Sequence, residues 1–332
     1  MNVIHLLVLA AAFALSVAAI GLLIHRIRGA GTPQATVEEV EGTEGFDGNE
    51  ENAESARAEA EAVATAWRRE PAARLAGVAW GLVVALLTSH VDVLGRGLLL
   101  AGPIAALTVV AAVTTGQVLL RPAAVPVRVA SLRPRRVLDY VPRRLAVTVT
   151  AMTAYLLALL TATSLLASAD DLGRAGRAIA YTGVDDAQQA ACAGLHTPWP
   201  GSFYAVPILL VVLAGLAVAL PSLRYVTLRP RLGTDDRAAA DEALRRRAAS
   251  VLLAAVGVLV TVPALAVEGG VAGALDGSGG SCPAPAWWST AGLLAGLSAL
   301  PTFALFAWCA VLLLAPSLAE PARPRFATRT AA

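Results

Sequence analysis

Three cysteines are the residues whose types most directly suggest covalent chemistry. Cys192 precedes Pro198-Trp199-Pro200 and Cys282 precedes Pro285-Ala286-Trp287-Trp288, each in a loop between apolar runs, whereas Cys309 lies inside the last run. The outer side of a bacterial plasma membrane permits disulfides and the cytoplasm generally does not. If both loops lie outside, a Cys192–Cys282 bond is the expected pairing, and chain entropy assigns it about 4–5 kcal/mol. Cys309 is expected to stay a thiol and to pack as a small apolar residue.

Acidic and histidine side chains form the second chemical group: His90, Asp92, Asp170, Asp171, Asp185, Asp186, His196, Glu268 and Asp276. Such residues bind metals or relay protons. None of them has HExxH or a similar zinc spacing, so solvated loop charge is expected, with no metal and no cofactor. His90, Asp92 and Glu268 stand out as a weak polar cluster, because the runs place them at helix ends with partial access to water. The chain has no Walker loop, GxSxG elbow or kinase set, and nothing in it argues for an enzyme.

These residues are punctuation in a strongly apolar chain. Of 332 residues, 57% are hydrophobic and 15% charged, whereas soluble domains have about 25% charged residues. Six uncharged runs follow one another: Leu75 to Val91, Gly97 to Leu120, Leu145 to Ala169, Phe203 to Leu223, Ala248 to Val267 and Trp287 to Ala315. Their lengths suit a helix crossing ~30 Å of hydrocarbon. The alternating segments of a β-barrel are missing. A seventh run, Val3 to Ile24, ends in His25-Arg26-Ile27-Arg28 and reads as an uncleaved anchor, since a secretory signal carries its positive charge ahead of the apolar stretch.

The expected fold is therefore an all-α membrane bundle of seven transmembrane helices, one anchor plus three hairpins. Its parts are an anchor over residues 1–28 and an acidic disordered linker over 29–70 that ends in a helical lead-in. A six-helix bundle over 71–320 and a cytoplasmic tail over 321–332 complete it. The linker is too polar to offset the entropy of ordering. All 26 basic residues are arginine. With the N-terminus outside and the C-terminus inside, only Arg96, Arg174 and Arg177 fall outside, as the positive-inside rule requires.

The basic cytoplasmic loop holds Arg133, Arg135, Arg136, Arg143 and Arg144. It serves chiefly to hold topology and could also meet anionic lipid head groups at ~1 kcal/mol per arginine. Pro103, Pro207, Pro263 and Pro301, with the many Gly and Thr residues, are expected to serve helix packing. Thr234 to Ser250 reads as a solvated helical extension with Asp241–Arg245 and Glu242–Arg246 pairs.

No run carries a charge near its middle, where ion-coupled transporters usually place one. A structural or interaction protein of the plasma membrane is thus the leading expectation. A transporter or permease for a small solute is the alternative. The bilayer is the expected partner, a protein partner is open, and no nucleic acid is expected.

The segments Arg133–Arg144 (RPRRVLDYVPRR), Ser168–Arg177 (SADDLGRAGR) and Pro198–Tyr204 (PWPGSFY) resemble multi-pass membrane proteins of actinobacteria that have no assigned activity. The resemblance covers the helical core and leaves out the acidic linker. It implies source and plasma-membrane localisation, and no chemistry. The lysine-free, Ala- and Arg-rich composition fits a GC-rich genome of that kind.

The topology can be checked with alkaline phosphatase fused after Gly48, Gly194, Gly233, Gly279 and Ala332. Activity is expected only at Gly194 and Gly279, and an active fusion at Gly233 would refute the arrangement.

Overall fold

A computed structural model describes residue 65 and residues 71–90, 94–118, 137–185, 190–228, 238–276 and 282–316. The first apolar run, the acidic linker apart from residue 65, Asp92, Arg133, Arg135, Arg136 and the tail lie outside the described residues. Among the described residues, six helices are long and apolar enough to cross a membrane. They are α1 (Pro71–Ser89), α2 (Arg96–Val118), α3 (Arg143–Leu165), α4 (Ser202–Leu228), α5 (Ala238–Asp276) and α6 (Trp287–Leu314).

These helices are apolar on every side. Leu82, Leu98, Leu210, Leu220, Leu293 and Phe303 stand exposed on the perimeter, while the interior is also leucine, valine and alanine. A helix that is hydrophobic all round belongs in a large core or in a membrane. The centre of the bundle is α5. In it 67% of the most apolar stretch is buried, against 22–39% in the other five helices. Helices α2, α3, α4 and α6 all pack on α5, whereas the backbones of α3 and α6 scarcely approach each other.

Small residues set the closest approaches. On α1, Gly77 and Gly81 form a GxxxG pair against α2: a Cβ at Gly81 would lie 2.9 Å from the Ala105 carbonyl oxygen. This is the close backbone contact that such motifs permit. Gly215 on α4 receives Leu259, and Gly257 on α5 receives Cys309, which is fully buried.

The helix ends opposite the loop cysteines are closed by arginines. Arg245, buried, pairs with Asp241 at 2.7 Å and donates to the Thr227 carbonyl at 3.0 Å. It so satisfies a carbonyl left open at the end of α4, where a positive charge also suits the helix dipole. Arg74 on α1 reaches the Leu314 carbonyl at the end of α6. The expected solvated extension before α5 is therefore only half solvated. Glu242–Arg246 is exposed, but Asp241–Arg245 is a buried cap.

The other end carries a feature that the all-α expectation lacks. Strands β1 (Ile179–Asp185) and β2 (Ala190–His196) form an antiparallel hairpin. Alternation of side chains, the period-two property of a strand, turns Ile179, Tyr181 and Gly183 with Cys192, Gly194 and His196 toward the bundle. Cys192 is bonded to Cys282, with Cα atoms 5.7 Å apart, so β2 is tied to the loop that enters α6. Gly183 sits directly opposite Cys192. A Cβ there would come within 2.9 Å of the Pro283 carbonyl oxygen and 3.1 Å of the Cys282 sulfur, so a glycine lets the disulfide-bonded loop lie close over the strand. Tyr181 covers Gly194, meets Trp288 edge-on at 4.7 Å and donates to the Cys282 carbonyl. Trp199 and Trp288 are buried here, and Trp199 donates to the Thr163 carbonyl at the end of α3.

Beneath the hairpin, Asp170 is no solvated loop charge. Its side chain is fully buried and accepts from the Leu172 and Arg174 backbone N–H groups and from the Arg174 and Arg177 guanidinium groups. Arg177 also donates to Tyr204, whose hydroxyl donates to the Leu94 carbonyl in the turn between α1 and α2. Burial opposes ionisation of Asp170, but the Arg174 N–H, the two guanidinium groups and the Leu172 N–H outweigh it. They hold the carboxyl below the usual carboxylate range. A depressed folded pKa adds stability that is complete above the unfolded value of about 3.9 and is lost as pH falls through the folded one. Asp170→Asn should therefore melt several degrees lower than wild type in detergent at neutral pH. Below about pH 4 the wild type should lose stability that the variant no longer has to lose. Parallel melting curves across that range would remove Asp170 from the cap.

Candidate functional site

Glu268 stands eight residues inside the end of α5 that lies nearer the hairpin, with apolar helix on both sides of it. The apolar run stops at Val267 because Glu268 itself stops it. The helix continues through Val271, Ala274 and Leu275, all buried, to Asp276. At 1.5 Å per residue, Glu268 lies about 12 Å below that end. The expected place at a water-accessible helix end is corrected: Glu268 is fully buried.

Three hydroxyls surround it. Tyr155, near the midpoint of α3, donates to Oε1 at 2.8 Å. Thr302, near the midpoint of α6, donates to the same oxygen at 3.0 Å. Ser298, one turn from Thr302, lies 3.1 Å from the Tyr155 oxygen and donates to the Ala295 carbonyl at 2.8 Å. Oε2 has no hydrogen-bond partner among the described residues. A carboxylate offers about four lone-pair positions, and here one oxygen is served while the other is left over. Burying such a group among apolar side chains is costly unless it is paired.

The other expected site residues do not join this cluster. His90 is exposed in the turn after α1, while the hydrogen bonds to Glu268 come from α3 and α6. His196 is edge-on to Trp288 at the hairpin. Arg143 and Arg144 are exposed at the start of α3. Cys192 and Cys282 form their disulfide, and Cys309 is a buried free thiol. Among the described residues, no three His, Cys, Asp or Glu side chains converge as metal ligands would.

Tyr155, Ser298 and Thr302 were not singled out by the sequence. Each is a hydroxyl in the middle of an apolar run, the common condition of packing residues. The available signal was Glu268 itself, flanked by apolar residues on both sides.

Beside the cluster, α3 and α6 diverge to leave a groove of about 550 Å³. Tyr155, Ser298 and Thr302 stand at one end of it, Met152 and Leu305 along it, and Trp308 toward the other end. No family model, no curated protein and no solved structure matches the chain, so the geometry alone carries the functional reading.

Pairing of the carboxylate with Thr302 can be measured in a double-mutant cycle of Thr302→Val and Glu268→Met, since methionine has no oxygen to accept the Thr302 proton. Inter-helix hydrogen bonds within a bilayer couple by ~0.6 kcal/mol on average and ~1.7 at most. A coupling of about 1 kcal/mol in thermal unfolding is expected here, and strictly additive losses would show that Thr302 does not hold Glu268.

Proposed function

We propose that the chain is a plasma-membrane protein of seven spans, N-terminus outside and C-terminus in the cytoplasm. In this reading, reversible protonation of Glu268 accompanies movement of a small solute. The supporting observation is the fully buried carboxylate, flanked by apolar helix, with one oxygen paired by Tyr155 and Thr302 and the other without a partner among the described residues. An ionisable residue inside a membrane bundle is expensive and for that reason usually functional. This reverses the order expected from the runs alone, where the permease stood second.

The two ends support the orientation. Arg74, Arg143, Arg144, Arg245 and Arg246 belong to one end, suiting a cytoplasmic face. The Cys192–Cys282 bond belongs to the other, suiting an oxidising exterior. The groups able to titrate beside Glu268 are limited. Helix α3 presents Tyr155 and α6 presents Ser298 and Thr302, its thiol Cys309 packing on Gly257 farther along α5. The titratable residues of α2 and α4 are Arg96, Tyr204, Arg224 and Tyr225, all near helix ends.

A second reading, an interaction protein, draws on the disulfide-pinned cap as a rigid platform. The arginine loop would then meet anionic lipid head groups from inside.

Dicyclohexylcarbodiimide tests the first reading. This lipid-soluble reagent adds the O–H of a protonated carboxyl across its C=N bond, and the adduct rearranges to a stable acylurea with no leaving group. In proteoliposomes, peptide mapping should find the adduct on Glu268, increasing as pH falls, and Glu268→Gln should lack it. Absence of modification from mildly acidic to mildly alkaline pH would refute a proton-binding Glu268.

A further inference from the structure

We infer that the groove between α3 and α6 binds an elongated apolar molecule with a cationic, hydrogen-bond-donating head, a lipophilic amine, entering from the side of the bundle. The inference rests on the reading of Glu268 as a membrane-buried, ionisable centre, and it names the ligand class of that centre.

The hydrogens decide the head group. Each hydroxyl carries one proton. The Tyr155 proton goes to the carboxylate at 2.8 Å, the better acceptor because the bond is charge-assisted. The Thr302 proton is shared between the same oxygen and the Ser298 carbonyl, both at 3.0 Å, and the Ser298 proton goes to the Ala295 carbonyl. The oxygens of Tyr155 and Ser298 therefore offer lone pairs to an occupant and no hydrogens. Behind them Oε2 of Glu268 is a further unspent acceptor. No Arg, Lys or His lines the groove, so an anionic head would find no positive partner and would lie near the charge of Glu268, which is not in the lining but is hydrogen-bonded to its Tyr155 and Thr302. An ammonium group supplies what the wall lacks: donors and a positive charge.

The walls decide the tail. Apart from its hydroxyl end the groove is Ala151, Met152, Pro301, Ala304, Leu305 and Trp308, with Thr148 bonded back to its own helix. About 550 Å³ is within the usual range of ligand clefts. Tyr155, 36% exposed, touches both compartments, so a head group arriving along the groove meets it first. A second groove, about 360 Å³ along Leu157, Leu216 and Leu220, supplies the control. Its Thr153 is bonded within α3, and none of its lining residues is a hydrogen-bond partner of Glu268.

The test uses the full-length protein in phosphatidylcholine nanodiscs and a diazirine-bearing dodecylamine. Crosslinks are expected on the α3 and α6 peptides that carry Met152 and Leu305. Unlabelled dodecylamine should compete about tenfold better than dodecanol or dodecanoate, equivalent to ~1.4 kcal/mol. Glu268→Gln should abolish that preference, and Ala304→Phe should block crosslinking by filling the groove. Dodecylamine should also protect Glu268 from the carbodiimide. Equal competition by the three head groups would overturn the inference, as would crosslinks shared equally with the Leu216 groove. If Glu268 reacts with the carbodiimide but the amine gives no protection, the ligand class is wrong and the proton site stands. If Glu268 does not react at all, the underlying reading fails first.

Discussion

A carboxylate inside a bundle of apolar helices cannot rely on solvent, and the arrangement of α3, α5 and α6 follows from that constraint. Glu268 rides on the most buried helix, so every partner must come from a neighbour. Tyr155 has the reach to cross from α3, and Thr302 is short enough for α6 to pack closely at that level. Both hydroxyls act on one oxygen, which leaves an asymmetric group with one side fixed and the other unspent. An apolar residue at 268 would leave Tyr155 and Thr302 without that partner. Fully satisfying both oxygens would instead make a purely structural knot. The observed arrangement lies between these two, with one oxygen paired and the other unpaired, and that asymmetry is what the proposed role of Glu268 draws on.

The two ends of the bundle hold that middle in register. At one end Arg245 and Arg74 take the carbonyls that end α4 and α6, tying α5 to α4 and α1 to α6. At the other the disulfide tethers the hairpin to the start of α6, and Asp170 gathers the loop after α3. Tyr204 and Leu94 extend that polar chain to the turn between α1 and α2. Arg96, Arg174 and Arg177 are the arginines at the hairpin end. Two share the single charge of Asp170, and the third lies over the Phe203 ring at 4.6 Å. Their pairing lowers the electrostatic cost of placing them opposite the arginine-rich end.

Much of the architecture was legible from one-dimensional signals. Uncharged runs located the six helices, because a run of that length and hydropathy has few other stable forms. Loop position singled out Cys192 and Cys282 against Cys309, and the structure bonds that pair. The hairpin was not legible: its strands are short, rich in Ala and Gly, and aligned by Tyr181 over Gly194 and by the disulfide over Gly183. These are tertiary contacts with no local propensity behind them. Asp170 looked solvated because its partners are backbone N–H groups and arginines whose convergence depends on loop geometry. Glu268 was misplaced for a sharper reason. Ending each run at its first charged residue assigns any carboxylate to the helix end, including one with apolar helix on both sides.

That same rule made the chain look unlike a transporter, so the correction of one residue carries the change of functional reading. The seam between α3 and α6 is where the consequence is concentrated. These two helices bear all three hydroxyls of the cluster yet pack on α5 separately, and the groove between them is bridged near its polar end by Tyr155 and Ser298. The disulfide anchors the start of α6 at one end and Arg74 reaches its last carbonyl at the other, while the middle of its α3-facing side leans on a groove. A two-state motion needs an element whose partners can be exchanged at small cost. Tyr155 meets that requirement: its hydroxyl lies within hydrogen-bond distance of both Glu268 and Ser298, so its one proton, given to the carboxylate, can turn to the Ser298 oxygen when Glu268 gains a proton and becomes the poorer acceptor. In the proposed reading, that exchange is what would couple the charge state of Glu268 to how firmly α3 holds α6.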